Sequence, residues 1–368
     1  MDCFKRLIVL SSIFLLCIVS NAQVKWYNPQ APEYSRQSLI FGKGWDEKEV
    51  NYCRLPLRAK EKVRQDVWRL SCESAGLSLR FRTDAQSIQV RYKVTGGFSM
   101  PHMPSTGVSG VDLYREDDAF CFGTYTFGDT VRYTYTVDRG SNVSKIQEYE
   151  LYLPLYNGVK FLEIGVESRQ HFAFVAKEQH DPIVVYGTSI AQGACASRPG
   201  MAWTNILHRQ LKRPVVNLGF SGNGKLEPEV ISLINEIKAS VYILDCMANL
   251  NMLTTDQVAE RVEKAVYQIR SCHDTPILLV DHAGYSNGNS NQNRYDTYTA
   301  PNRGQQEAYR RLKMKGVKNL YYISHEDLNY SPDAWVDYVH PSDYGMVRHA
   351  EVISKQLLKI VNGNKETL

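Results

Sequence analysis

A serine becomes a nucleophile when an imidazole can take its proton and a carboxylate fixes that imidazole's tautomer and charge. This sequence supplies the three groups in two short stretches. An apolar run ends in Val185-Tyr186-Gly187-Thr188-Ser189-Ile190, and near the C-terminus the chain reads Val336-Asp337-Tyr338-Val339-His340-Pro341. Between them lie Asn217-Leu218-Gly219-Phe220-Ser221-Gly222 and Asp245-Cys246-Met247-Ala248-Asn249, each just after an apolar run that reads as a strand. Gly222 offers a closely approachable backbone N–H and Asn249 a side-chain amide, the donors that a developing oxyanion requires. Ser189, Asp337 and His340 are therefore the candidate catalytic residues. The backbone N–H groups of Ser189 and Gly222, with the Asn249 amide, are the candidate oxyanion hole. The chemistry this order permits is acyl transfer through an acyl-enzyme that water then opens, with no metal and no cofactor.

Each residue also has a plainer use. Serine is a common turn former, Asp337 could start a helix, Asn249 could cap a turn, and Gly222 could serve backbone conformation only. Four such residues in order, each at the end of a strand or before a helix, favour the catalytic reading. Two polar residues are weaker candidates for substrate binding. Arg198, in the loop after Ser189, could contact a sugar or brace the loop, and His102, in Met100-Pro101-His102-Met103-Pro104, could reach the cleft from the first half. His282, His325 and His349 are spare histidines, with His349 inside a helical pattern.

The elements that must position these groups fall into two halves. From about His180, short apolar strands (Ile183 to Tyr186, Val215 to Leu218, Val241 to Leu244, Ile277 to Val280, Leu320 to Ile323) alternate with helical patterns. The helical patterns are Ala202 to Leu211, Leu226 to Ile237, Thr255 to Arg270, Arg303 to Lys315 and Ser342 to Ile360. Alternation of this kind predicts a five-stranded parallel sheet between helix layers, with ligands at the carboxyl ends of the strands. From about Tyr52 to Val175 the apolar period is two, as in Ile88-Gln89-Val90-Arg91-Tyr92-Lys93-Val94 and Val131-Arg132-Tyr133-Thr134-Tyr135-Thr136-Val137. Turn residues such as Gly96-Gly97, Asp138-Arg139-Gly140 and Asn157-Gly158 separate the runs. That pattern predicts an all-antiparallel sandwich of jelly-roll type. The expected division is 1–22 export signal, 23–178 β-sandwich and 179–368 α/β hydrolase domain.

Bulk properties exclude several classes. The 368 residues carry a formal charge of +4, with 43% hydrophobic and 22% charged residues and no long basic run, so nucleic acid is not an expected partner. A Walker A sequence and a GxGxxG after a strand are both missing, which removes support for phosphoryl or hydride transfer. Lys5 and Arg6 precede the apolar stretch Leu7 to Val19, and Ser20-Asn21-Ala22 places small residues before Gln23, the pattern of a cleaved export signal. The expected location is periplasmic or extracellular; a lipid anchor on Cys17 is the alternative, against which the bulky Leu16 counts. No membrane span is expected. Cys53, Cys72, Cys121, Cys195, Cys246 and Cys272 remain after cleavage, and spacing does not choose among their pairings. They form no CxxC and no cluster of zinc spacing.

On these residues the chain resembles the SGNH (GDSL-type) hydrolase superfamily from about Ile183 to its end. Ser189 matches the nucleophile of the first block, Gly222 the second-block glycine, Asn249 the third-block asparagine, and Asp337 with His340 the Asp-x-x-His of the last. The flavodoxin-like fold of that superfamily is what the resemblance implies here. Gly110-Val111-Asp112-Leu113-Tyr114 resembles a motif of a domain found in front of some of these hydrolases, and Asp112 and Tyr114 read as structural. Such two-domain esterases look like carbohydrate de-O-acetylases. The chain departs from the pattern at Thr188, where aspartate is usual, and at Asp245-Cys246 and Asn249-Leu250, where glycine and Asn-Asp are usual. The small, polar Ala191-Gln192-Gly193-Ala194 favours a short acyl group. The implied function is a secreted serine esterase acting on acetyl or other short acyl esters of an acylated carbohydrate. The alternatives are a lipase or thioesterase on longer chains and a carbohydrate-binding protein without turnover.

Overall fold

The computed structural model describes residues 23–363 except 48, 50, 51 and 138–144. The expected export signal, Cys17 and the turn Asp138-Arg139-Gly140 lie outside the described residues. Among those that are described, no helix is long and apolar enough to cross a membrane.

The alternating runs of the first half form two antiparallel sheets. One has the order β1 (Val24–Tyr27), β10 (Val159–Glu167), β4 (Ser87–Val94), β8 (Val131–Thr136), β7 (Gly123–Thr126). The other runs β11 (Phe172–Phe174), β3 (Ser78–Thr83), β9 (Gln147–Tyr152), β5 (Asp112–Arg115), β6 (Phe120–Cys121), with β2 (Ile40–Phe41) added on β3. In β8, Val131, Tyr133 and Tyr135 are buried while Arg132, Thr134 and Thr136 face solvent, so the period of two is a core face and a wet face. Phe81, Leu151, Val90 and Ile164, from both sheets, join them in one apolar cluster. Burying each such side chain contributes about 1.5–3 kcal/mol.

One segment breaks the alternation. Leu55, Ala59, Val63, Val67 and Leu70 recur at helical spacing through a 3₁₀ turn (Leu57–Glu61) and α1 (Gln65–Ser71). These residues are buried with the core of the second half rather than inside the sandwich. The sequence reading placed no helical stripe here; the stripe is too short to stand out among strands. A second short helix, α2 (Ser105–Val108), also lies in the first half.

The second half is the expected parallel sheet, in the order β13 (Val215–Gly219), β12 (Ile183–Gly187), β14 (Val241–Asp245), β15 (Ile277–Val280), β16 (Leu320–Ile323). This is the flavodoxin-like order, which switches direction at β12. The short α3 (Ser189–Gln192), α4 (Trp203–Leu211) and α9 (Asp343–Gly363) pack on one face. On the other lie α5 (Pro228–Ile234), α6 (Thr255–Arg270), α7 (Gln292–Met314) and the α1 segment. A last short helix, α8 (His325–Leu328), is capped by Ser324. Helix α7 starts well before the expected Arg303. Its first turns are polar and Pro301 lies inside it, which hides the pattern, while Asn291 caps it by accepting from Arg294 N at 3.2 Å.

Candidate active site

Parallel register decides where the candidates stand. Gly187 of β12 pairs with Gly219 of β13 and Asp245 of β14, so three strands end level. Ser189, Gly222 and Asn249 each follow one of those ends. Thr188 caps α3, its Oγ1 accepting from Ile190 N at 3.4 Å. Ser189, which opens α3, is buried but for 7% of its surface.

The loop before α9 brings the other two groups to this edge. Ser189 Oγ lies 3.0 Å from His340 Nε2, and His340 Nδ1 lies 2.8 Å from Asp337 Oδ2. The remaining carboxylate oxygen, Oδ1, accepts from Val339 N at 2.8 Å and His340 N at 2.7 Å. The Asp-x-x-His spacing is thus one turn folded around its own carboxylate, so the side chain that shapes the loop also holds the imidazole. Burial on its own would raise the Asp337 pKa, but the bond from the His340 ring and the two amides outweigh it and hold the carboxyl below its ordinary value. An ionised carboxylate at Nδ1 keeps the ring proton there and turns the Nε2 lone pair to Ser189. The loop is fastened by Val336 N to His340 O at 2.9 Å, Ser342 N to Ala334 O at 2.8 Å and Ser286 N to Tyr338 O at 3.0 Å. Ser197 donates to Asp343 through both N (2.8 Å) and Oγ (2.5 Å), tying the serine loop to the first residue of α9.

Gly222 has φ +66, and a Cβ added there would meet no atom within 4 Å. Two residues on, a Cβ on Gly224 would stand 2.0 Å from Gly187 O, so this loop runs hard against the end of the serine strand. Asn249 Nδ2 donates to Asn223 O, next to Gly222. Gly222 and Asn249 also line a common cavity of about 220 Å³ with Lys225, Asn251, Met252 and Arg261. Gln192, in the same helix as Ser189, accepts from Ser221 N at 2.9 Å.

His102 and Arg198 part company. The His102 ring stacks on His340, with centroids 5.6 Å apart and planes 20° from parallel, so a sandwich loop reaches the catalytic edge. Arg198 instead turns into the sandwich, donating to Asp112 Oδ2 at 2.9 Å and Tyr114 OH at 2.6 Å and lying 3.9 Å over the Phe120 ring. Asp112 Oδ2 also accepts from Gly200 N at 2.7 Å. The segment Ala191 to Ala194 is buried beneath the serine and does not line the mouth, so its small size says nothing about acyl length.

Four side chains with ligand atoms, His102, Cys195, Asp337 and His340, lie within 4.8 Å of one another and could gather round a cation. Burial, and then Asp337, push the Cys195 thiol up to about 12, so it faces the cluster as a neutral thiol, a poor ligand until its proton is lost. His282 is buried behind the edge, and burial first, then His340, His325 and His349, push its pKa down to about 3. His349, in α9, bonds Tyr330 OH through Nδ1 at 2.8 Å.

Sequence reasoning missed the groups beneath the site. Arg54 is wholly buried and donates to Asn217 O (3.2 Å), Gly219 O (2.6 Å), Leu70 O (2.7 Å) and Glu73 O (2.8 Å). It therefore steadies the strand that leads into Gly222. Burial lowers its pKa to about 10, which still leaves it charged at neutral pH. Tyr156 OH donates to Ser189 O at 3.4 Å, and Gln192 Nε2 donates to Leu155 O at 3.2 Å and to Glu73. No local pattern marks any of the three, because their partners, mostly backbone carbonyls, lie far off in the chain.

Residues 180–358 match the GDSL-like lipase/acylhydrolase family, and residues 24–172 match the GxDLY family, the N-terminus of SGNH-hydrolase-type esterases. A protein from Bacteroides ovatus described as a GDSL-like lipase is 32% identical, with 92% of this chain and 98% of that one covered and a TM-score of 0.83. A salicylyl-acyltransferase from a tetracycline biosynthetic pathway is 18% identical over 92% and 97% of the two chains, with a TM-score of 0.72. A family two carbohydrate esterase from Clostridium thermocellum shares the fold at 11% identity, 79% and 94% coverage and a TM-score of 0.54. No curated protein matches the sequence. With both halves of the chain matched and a full-length relative at that identity, the chain belongs to the GDSL-like lipase/acylhydrolase family and is an ester hydrolase of SGNH type.

Proposed function

We propose that this hydrolase removes acetyl or other short acyl groups from an O-acylated carbohydrate outside the cytoplasm, with Ser189 as nucleophile, His340 as general base and Asp337 as its orienting carboxylate. The observation that carries the mechanism is the unbroken relay from Ser189 Oγ to His340 at 3.0 Å and on to Asp337 at 2.8 Å. Ser189 Oγ attacks the acyl carbonyl carbon while His340 Nε2 takes its proton, and the carbonyl pair moves onto oxygen. The N–H groups of Ser189 and Gly222 and the free N–H of the Asn249 amide receive that oxyanion. Collapse expels the sugar oxygen, which takes the proton from His340. Water, deprotonated by the same imidazole, then attacks the acyl carbon; the bond to Ser189 Oγ breaks, Oγ takes the proton back from His340, and the acid departs.

The carbohydrate assignment is supported by what surrounds the relay. Tyr338, beside Asp337, is 45% exposed; it meets Tyr285 edge-on at 5.3 Å and carries the Arg294 guanidinium 4.6 Å over its ring. An exposed tyrosine flanked by polar groups suits the apolar face and hydroxyl rim of a sugar. His102 is assigned to the rim, where the leaving sugar would pass, and Arg198 to the brace between the halves. In the Clostridium thermocellum esterase of the same fold, the bound molecule is cellohexaose. A long-chain lipase is the second reading, for which Met252, exposed at the cavity beside Asn249, speaks.

Acetate release from a panel of acetylated polysaccharides, wild type against Ser189→Ala, tests the proposal. Release by wild type and not by the variant is the expected result. Hydrolysis that instead rises with acyl length on simple esters, with no acetate from any polysaccharide, would select the lipase. Sequencing the N-terminus of the protein recovered outside the cytoplasm tests export, with Gln23 expected first.

A further inference from the structure

We infer that Cys53 and Cys72 are a redox pair that closes a disulfide under oxidising conditions and so ties together the two ends of the α1 segment. Arg54 N donates to Ser71 O at 2.7 Å, which sets Cys53 and Cys72 opposite each other on adjacent backbone segments. The Arg54 guanidinium brackets the pair, reaching Leu70 O at 2.7 Å on one side and Glu73 O at 2.8 Å on the other. The two thiols lie close enough for each to shift the other's ionisation, and both are half-buried rather than sealed. Backbones bonded across such a pair stand at about the 4.4–6.8 Å Cα separation that disulfides span. Other cysteines are placed differently: Cys246 is fully buried, its Sγ 3.5 Å from Tyr186 O, and Cys195 faces Asp337.

Reactivity points the same way. The neighbouring Cys53 lowers the pKa of the Cys72 thiol, while Cys72 and burial raise that of Cys53, so Cys72 is the thiol favoured to ionise first. The oxidant is a disulfide donor such as glutathione disulfide or a thiol oxidoreductase. Cys72 thiolate attacks one donor sulfur, the donor S–S bond breaks, and one donor thiolate leaves. Cys53 then gives up its proton and attacks the Cys72 sulfur, expelling the second donor thiolate. Two electrons pass from the protein thiols to the donor, and the protons of both cysteines end on the released thiols.

The closed loop, residues 54–71, holds Leu55, Ala59, Val63, Val67 and Leu70, which fill the hydrolase core, and Arg54, which holds the strand before Gly222. Closing it constrains the unfolded chain and is expected to raise Tm by about 4 °C.

The full-length protein, incubated in a glutathione redox buffer, is alkylated under denaturing conditions, digested without reduction and mapped by mass spectrometry. A Cys53–Cys72 linked peptide is expected. Dithiothreitol should then lower the wild-type Tm by the same shift, while a Cys53→Ser, Cys72→Ser double variant still hydrolyses an acetyl ester and does not respond to dithiothreitol. Alkylation of both cysteines before reduction, or a link from either to another cysteine, would overturn the inference without needing the variant. A dithiothreitol response that persists in the double variant would overturn it as well.

Discussion

At the scale of single residues, the proposed site is a set of differences a substitution can expose. Asp337→Asn keeps the shape of the turn, but an amide cannot hold the proton on Nδ1, so kcat should fall by about 10⁴-fold with the fold intact. Asn249→Ala should cost about 10²–10³ in kcat with a smaller change in KM, because the amide acts on the oxyanion more than on the bound ester. Both are read from the hydrolysis of an activated acetyl ester. The depressed Asp337 pKa has a signed consequence. A carboxylate whose folded pKa lies below its unfolded value adds stability above the unfolded pKa, about 3.9, and loses it as pH falls through the folded value. Wild type should therefore lose Tm relative to Asp337→Asn below about pH 4 and hold its margin at pH 5–8.

At the scale of elements, two buried groups link pieces of the fold and should report on it. Arg54 joins the α1 segment to β13 through carbonyls only. Arg54→Met should cost about 3–5 kcal/mol, read by urea unfolding, since four carbonyls lose their donor in a dry interior. Asp281, just past the end of β15, accepts from Gln305 Nε2 of α7 at 2.9 Å and from Tyr322 OH of β16 at 2.6 Å. Burial nevertheless pushes its pKa up to about 7. A carboxyl whose folded pKa is raised favours the folded state at low pH, and that contribution fades as pH climbs from about 4 through 7. Asp281→Asn should flatten the fall in Tm between pH 5 and pH 8. A slope equal to wild type would place the titration elsewhere.

At the scale of the whole molecule, neither half is self-sufficient. The α1 segment, from the first half, supplies apolar side chains to the core under the parallel sheet, and Met103, Val108 and Leu155 pack on its other face. Asp112 and Tyr114 hold Arg198 and Gly200 in the loop that follows the serine. Residues 179–368 expressed without the rest should be insoluble or molten by circular dichroism, with no esterase activity. The proposed division at 178 is thus a division of sequence pattern more than of folding units. Surface aromatics carry the substrate prediction at this scale. Tyr338→Ala should raise KM for an acetylated polysaccharide several-fold while leaving a small acetyl ester nearly unchanged.

The parallel sheet and the antiparallel sandwich were legible in the sequence because each depends on local chemistry, and so was the placing of the proposed serine, aspartate and histidine at a strand end and before a helix. Strand period, strand–helix alternation and an Asp-x-x-His turn are written within a few residues of themselves. The positions of Gly222 and Asn249, just past strand ends, were legible for the same reason. What lay beyond reach were relations between distant segments. Cys53 meets Cys72 because the α1 segment turns back on itself, while Arg54 meets Asn217 and Gly219, and His102 lies over His340, only because the first half is folded against the parallel sheet. A buried guanidinium that bonds carbonyls leaves no side-chain pattern to read, and a loop histidine looks the same whether it faces water or an imidazole. Local periodicity determined the elements and their polar ends; burial and the docking of the two halves decided which of those ends meet.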